Sequence, residues 1–223
     1  GKHIACKMMA IPTASVAPEG APSRGPTKAE SELRALCSEI ELMRSLEHPN
    51  IVRYLGTHVD DQQLQLYIFQ EWVPGGSLAA QSAQYGALSE KVVRMYARHL
   101  LSGLVYLHEN HIIHRDIKIA NLLYTNKGVL KLCDFGLARL NPEMIEGGEP
   151  GEMTEYVVTR WYRAPEVLLR SPYYSAPIDM FAMGGIMAEL YTLRPLFPGC
   201  DPLGESAQPP GRLRFRRPQT PDP

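Results

Sequence analysis

No sign of charge dominates this chain of 223 residues: 23 lysines and arginines face 24 aspartates and glutamates, for a formal net charge of −1 and a pI near 6.7. Such a balance offers no general attraction to nucleic acid or to an anionic membrane, so neither is expected as a partner. Cysteine is scarce. Cys6, Cys37, Cys133 and Cys200 are far apart and form no C-x-x-C pair, which argues against a disulfide framework or a cysteine zinc site and for free thiols in a reducing compartment, the cytoplasm or the nucleus. Nowhere does an apolar run approach the ~18 residues that span a bilayer, and the first residues lack the basic-then-apolar pattern of a signal peptide. Internal repeats are also missing. What the chain does have is 44% hydrophobic and 21% charged residues, enough apolar material for one good-sized core or two smaller lobes.

Residues 3–11, "HIACKMMAI", form a short apolar run of strand length that carries Lys7 in its middle. The Pro-, Ala-, Ser- and Gly-rich stretch 12–27 has no periodicity and reads as a flexible insertion. From Lys28 to Leu46, Leu33, Leu36, Cys37, Ile40, Met43 and Leu46 recur at helical spacing, and "EHPN" stops the helix. Two strand-like runs, "IVRYLGTHV" and "QLQLYIFQEWV", join at "DDQQ" and close at "PGGSL", where Gly75 and Gly76 suggest a hinge. Residues 89–111 then carry a helical apolar stripe with Ser89 as the N-cap. "GVLKLCDFGLARL" reads as a strand ending in a glycine turn, and 141–158 as a polar, mobile loop. Residues 176–193 are apolar almost all round, as in a buried helix. From Cys200 onward the chain is Pro-rich and aperiodic, and a disordered tail is expected over 201–223, with a basic docking patch at Arg212, Arg214, Arg216 and Arg217 as the less favoured alternative.

The chemistry concentrates in "HIIHRDIKIANLL", residues 111–123. His114, Arg115, Asp116, Lys118 and Asn121 fix five positions in an eight-residue window, a coincidence expected about once in ten thousand chains of this length at roughly one in twenty per position. A carboxylate, an ammonium and an amide held between apolar anchors suit phosphoryl transfer, where the protein must position a hydroxyl and neutralise charge rather than supply covalent chemistry. This stretch resembles the catalytic loop of eukaryotic protein kinases. The resemblance implies that Asp116 accepts or orients the substrate hydroxyl's proton, that Lys118 approaches the γ-phosphate, and that Asn121 is a magnesium ligand.

Further motifs share that resemblance. Asp134-Phe135-Gly136 resembles the segment whose aspartate holds magnesium across the β- and γ-phosphates, a hard oxygen ligand for a hard cation. Phe135 is then expected against the helix that carries Glu39. Lys7 in "IACK" resembles the lysine that pairs the α- and β-phosphates, and Glu39 its partner on the following helix. "FQEWVPGG" resembles the hinge, with Gln70 at the gatekeeper position, the backbone at Glu71 and Val73 on the adenine edge, and Leu123 as the apolar floor under the ring. "RAPE" at 163–166 matches the end of an activation segment spanning 134–166. Within it Thr154-Glu155-Tyr156 resembles the T-x-Y dual-phosphorylation element of mitogen-activated kinases, with Arg115 as the cationic partner of an added phosphate. "TRWYR" is similar to kinases that favour proline after the phosphoacceptor. Asp179 resembles the helix aspartate that braces the catalytic loop; an N-cap role for it is the plainer reading, and both can hold at once.

Two affinities run through the one chain. Residues 31–123 resemble mitogen-activated protein kinase kinase kinases, and 150–199 the male-germ-cell-associated and related proline-directed kinases. Both imply serine/threonine specificity, ATP with Mg2+, protein substrates and an upstream activating kinase. The implied fold is α+β and two-lobed. A partial small β-rich lobe covers 1–74 and a partial, mainly helical lobe covers 75–200. No G-x-G-x-x-G precedes Lys7 and the pattern fades after "LFPG", so a domain incomplete at both ends is expected, without its first strands and last helices. From a different functional class, the competing expectation is a non-catalytic kinase-like binding module.

Overall fold

The computed structural model describes residues 3–11, 28–136, 138–140, 160–169, 171 and 174–198. The insertion at 12–27, the loop at 141–158, Cys200 and the tail at 201–223 lie outside the described residues.

Strand β1 (Ile4–Ala10), β2 (Tyr54–Asp60) and β3 (Gln65–Glu71) form an antiparallel sheet in the order β1-β3-β2. Asp60 builds the β2–β3 turn by accepting from the backbone N–H groups of Gln62 and Gln63, both at 3.0 Å, the Asx geometry that suits a short polar connection. Side chains alternate across a strand, and in β3 Leu66 and Ile68 point inward and are buried. Lys7 is the cross-strand partner of Ile68, so it lies on that inward face.

Helix α1 (Lys28–Ser45) follows the predicted span, yet its buried stripe is narrower than the spacing suggests. Leu36, Glu39 and Met43 are buried, while Leu33 and Cys37 face solvent. The apolar cluster around α1 and β3 thus has a carboxylate set into it.

The helical part begins with α2 (Leu78–Tyr85), which "SLAAQSAQYG" conceals because it lacks an apolar period; Ser77 caps it by accepting from Ala80 N. Helix α3 (Glu90–Glu109) buries Val93, Tyr96, Leu100, Gly103, Leu104 and Leu107 on one stripe. Ser89 occupies its N-cap position but makes no side-chain cap bond. Next come β4 (Ile112–Ile113), a single 3₁₀ turn (Ile119–Asn121), β5 (Leu122–Tyr124), β6 (Leu130–Leu132) and β7 (Arg139–Leu140). The expected single strand after Gly128 is therefore one arm of a β5–β6 hairpin, and β7 pairs back onto β4. Two helices complete the described fold, α4 (Pro165–Leu168) and α5 (Pro177–Thr192).

Helix α5 departs from expectation. It buries Ile178, Asp179, Ala182, Met183, Gly185, Ile186, Glu189 and Leu190, but Met180 and Tyr191 are 44% and 47% exposed. An all-round apolar sequence gave no clue to which side lies open. Among the described residues no helix is long and apolar enough to cross a membrane.

The sheet layer is stitched to the helical part by residues 46–53. Val52 N donates to Leu132 O at 2.9 Å, Leu132 N to Asn50 O at 2.8 Å, and Glu47 N to Tyr106 Oη at 3.1 Å. His48 stacks on the Tyr106 ring with centroids 5.0 Å apart. A second stitch is at Gly75, whose N–H donates to Tyr124 O at 2.9 Å, with Tyr124 N donating to Gly76 O at 3.1 Å. A Cβ at position 75 would lie 2.2 Å from that carbonyl oxygen, so only glycine permits the approach. The two glycines dock the connection onto β5 rather than leaving it loose.

Candidate active site

The segment 114–121 turns sharply between β4 and β5, and Arg115 sits in the left-handed region at φ +70°, a conformation that costs a non-glycine residue about 1–3 kcal/mol. Asp179, 1% exposed in the first turn of α5, accounts for its persistence. Its Oδ2 accepts from His114 N and its Oδ1 from Arg115 N, both at 2.9 Å. His108, at the end of α3, donates from Nε2 to the same Oδ2 at 2.9 Å. The N-cap of α5 is Ala176, so the N-cap reading of Asp179 gives way to that of a buried brace.

Held in this way, the loop gathers its polar groups. Lys118 Nζ donates to Asp116 Oδ2 at 2.7 Å. Asn121 Nδ2 donates to Asp116 O at 2.9 Å and to Asp116 Oδ2 at 3.0 Å. The Asp116 and Lys118 side chains are only 14% and 21% exposed, and a partly desolvated, charge-assisted pair of this kind is well fixed in direction. A shallow cleft beside them is lined by Arg115, Asp116, Tyr162, Arg163, Val167 and Ile178 among others. The Arg115 guanidinium lies over the Tyr174 ring, 5.1 Å from its centroid, a cation–π geometry.

His114 has a role that its place in the motif did not reveal. Fully buried, it is pushed below its ordinary pKa by desolvation and is neutral. Its Nε2 donates to Cys133 O at 3.2 Å while Nδ1 accepts from Asp116 N at 3.3 Å, which fixes the Nε2–H tautomer. The ring also meets Phe135 edge-on at 5.0 Å. One imidazole thereby joins the Asp116 loop to the Asp134 segment. Phe135 is 1% exposed and belongs to the same large apolar cluster as Leu36 and Met43 of α1.

Lys7 Nζ lies 3.4 Å from Glu39 Oε1 and 3.7 Å from Asp134 Oδ1. Lys7 and Asp134 are each more than 40% exposed, so their approach adds little stability. Its interest is positional: an ammonium is poised between two carboxylates. Asp134 itself has φ +64°. Gln70 Nε2 donates to Met43 Sδ at 3.3 Å. Glu71 N donates to Arg53 O at 2.9 Å. Val73 is buried, and Leu123 is half-buried in β5. Thr154 and Tyr156 lie outside the described residues. Outside the expected set, Tyr162 Oη donates to Glu189 Oε2 at 2.5 Å, and burial raises both pKa values.

Among the described residues no group of three or more His, Cys, Asp or Glu side chains could hold a metal. The donor set of Asp134 carboxylate and Asn121 amide still fits Mg2+, which takes one or two protein oxygens and fills the rest of its shell with phosphate and water.

Cys133, just before Asp134, is a thiol but no nucleophile. Desolvation first, then the Asp134 charge, pushes it from an ordinary 9 to about 12, which makes its thiolate about a thousandfold scarcer. Brief iodoacetamide treatment at pH 8 is therefore expected to label the exposed Cys6 and Cys37 and to spare Cys133, as peptide mass mapping would read. Labelling of Cys133 at the rate of Cys37 would contradict that environment.

The protein kinase domain family model matches residues 23–208. The chain is 38% identical over 206 residues to a mitogen-activated protein kinase kinase kinase, MST11, of Pyricularia oryzae, covering 91% of this chain and 22% of that protein. It is 40% identical over 167 residues to the serine/threonine-protein kinase MAK of Rattus norvegicus, covering 75% of this chain and 26% of MAK. The chain thus spans about a quarter of the length of these relatives. Among solved structures, the yeast RNA Pol II CTD kinase CTDK-1 complex contains a chain that superposes with a TM-score of 0.69 at 31% identity, covering 90% of this chain and 58% of that one.

Proposed function

The chain belongs to the protein kinase domain family, and from that premise we propose that it transfers the γ-phosphoryl group of ATP to serine or threonine hydroxyls of proteins. The observation that carries this reading is the Asp116–Lys118–Asn121 cluster, in which two polar side chains converge on the Asp116 carboxylate in a loop locked by Asp179.

Asp116 holds the acceptor hydroxyl and takes its proton as the oxygen attacks phosphorus. Lys118 lies against that carboxylate and offers its ammonium to the transferring phosphoryl oxygens. Lys7, steadied by Glu39, faces the α- and β-phosphates. Asn121 and Asp134 would hold magnesium, which neutralises phosphate charge when bound. Backbone groups at Glu71 and Val73 take the adenine edge, Leu123 lies beneath the ring and Gln70 borders the rear of the pocket. Lys118 two positions after Asp116 favours serine and threonine over tyrosine. Phosphorylation of Thr154 and Tyr156 by an upstream kinase would add charge that Arg115 can meet. The affinity of residues 31–123 for kinase kinase kinases suggests a place in a mitogen-activated cascade.

Lys7→Met tests this. Purified 1–223 is expected to show an ATP- and Mg2+-dependent rise in melting temperature and to phosphorylate a serine/threonine peptide library. The variant is expected to lose on the order of a hundredfold in transfer rate, the usual size of effect for one missing charge-stabilising donor. Transfer by Lys7→Met at the wild-type rate, or a wild-type protein that ATP leaves unshifted, would refute the catalytic reading and favour a binding module.

A further inference from the structure

We infer that Lys131 is a positioning residue for the nucleotide pocket, a tether that holds the end of β3 against the β5–β6 hairpin. The inference rests on the proposed adenine site for its functional meaning, whereas the tether itself stands on geometry alone. Lys131 Nζ donates to Glu71 Oε2 at 2.9 Å and to Ile51 O at 3.4 Å. Its side chain is 12% exposed and that of Glu71 29%, so the pair is shielded enough to have directional strength that a surface ion pair lacks. Glu71 Oε2 also accepts from Arg53 N at 3.2 Å. One carboxylate oxygen therefore ties together β3, the start of β2 and β6.

Position gives this tether its consequence. Glu71 carries backbone assigned to the adenine edge, and the cross-strand partner of Lys131 in the hairpin is Leu123, the assigned floor. Directly beyond the end of β6 the chain passes through Cys133 to Asp134. A single ammonium thus sits behind two walls of the pocket and fixes their separation. The fold has other means of holding β6: Leu130 and Leu132 are buried on either side of Lys131, and Leu132 exchanges backbone bonds with Asn50 and Val52. Losing the ammonium should loosen the pocket wall without unfolding the strand.

Hydrogen exchange of residues 71–76 in nucleotide-free 1–223, together with ADP titration and steady-state kinetics, reads this directly. Lys131→Met is expected to speed exchange there about tenfold and to raise Kd for ADP and KM for ATP about tenfold, the worth of one charge-assisted hydrogen bond. The kcat value is expected to change less than threefold. Glu71→Gln should reproduce the effect from the other side of the pair, the double variant should add nothing to either single change, and Lys131→Arg should restore most of it. Wild-type exchange in Lys131→Met, additive single effects, or a fall in kcat at unchanged KM would overturn the tether. Because exchange is read without nucleotide, a protein that binds no ADP defeats the catalytic reading and leaves the tether test intact. Should Lys131→Met lose its far-UV circular dichroism, Glu71→Gln and Lys131→Arg still decide the matter.

Discussion

Asp116→Asn is expected to reduce single-turnover phosphotransfer by about a thousandfold or more while ATP and magnesium bind within about threefold of wild type. The size follows from the part assigned to the carboxylate, since a positioned general base contributes roughly 10²–10⁴ in rate. The selectivity follows from geometry. Asp116 Oδ2 accepts from both Lys118 Nζ, at 2.7 Å, and Asn121 Nδ2, at 3.0 Å. An asparagine fills the same space, and its amide oxygen in the place of Oδ2 can accept from both donors, so the loop persists. What disappears is the basic oxygen and, with it, the negative charge that faces the Lys118 ammonium. Quench-flow transfer from radiolabelled ATP, set beside an ATP titration, separates the two effects. Undiminished transfer in Asp116→Asn would remove the residue from the chemistry, and lost ATP binding would reassign it to holding nucleotide.

Much of this site was readable before any coordinates, and the reason is local density. Asp116, Lys118 and Asn121 lie within six residues, so a turn short enough to join β4 to β5 can hardly keep them apart. The Lys7–Glu39 pairing spans 32 residues and was anticipated only through the resemblance of the surrounding motifs to protein kinases, because a lysine in a strand and a glutamate on a helix, taken alone, are more often solvated. Other features resisted reading. Helix α2 has no apolar period, since only Leu78 on it is buried. The open side of α5 could not be inferred from a helix apolar on every face. His108, His114 as a connector and the Lys131–Glu71 tether depend on contacts 19 to 71 residues apart, made by residue types that recur all over protein surfaces. For His114 the one available signal was its place beside Arg115 and Asp116, and that said nothing of its reach to Cys133.

The largest loss of stability is expected from Asp179→Ala. Two buried backbone N–H groups, those of His114 and Arg115, and the His108 ring all lose their acceptor together. Each buried donor left without a partner costs about 1–3 kcal/mol. Against this, release of Arg115 from its left-handed conformation would return about 1–3 kcal/mol, so a net loss of about 2–5 kcal/mol is expected in urea unfolding. That release is also the route to a second effect. Once Arg115 relaxes, the turn that presents Asp116 is no longer specified, and phosphotransfer should fall on the order of a hundredfold even at temperatures where the variant stays folded. Asp179→Asn retains one acceptor oxygen at unchanged volume and should fall between wild type and alanine on both measures. Amide exchange at His114 and Arg115 gives the site-specific reading, with both protons expected to lose protection in Asp179→Ala. If those amides stay protected and stability drops by less than about 1 kcal/mol, the catalytic loop is held by its own apolar anchors, Ile112, Ile113 and Ile117, all of them buried, and Asp179 is not its brace.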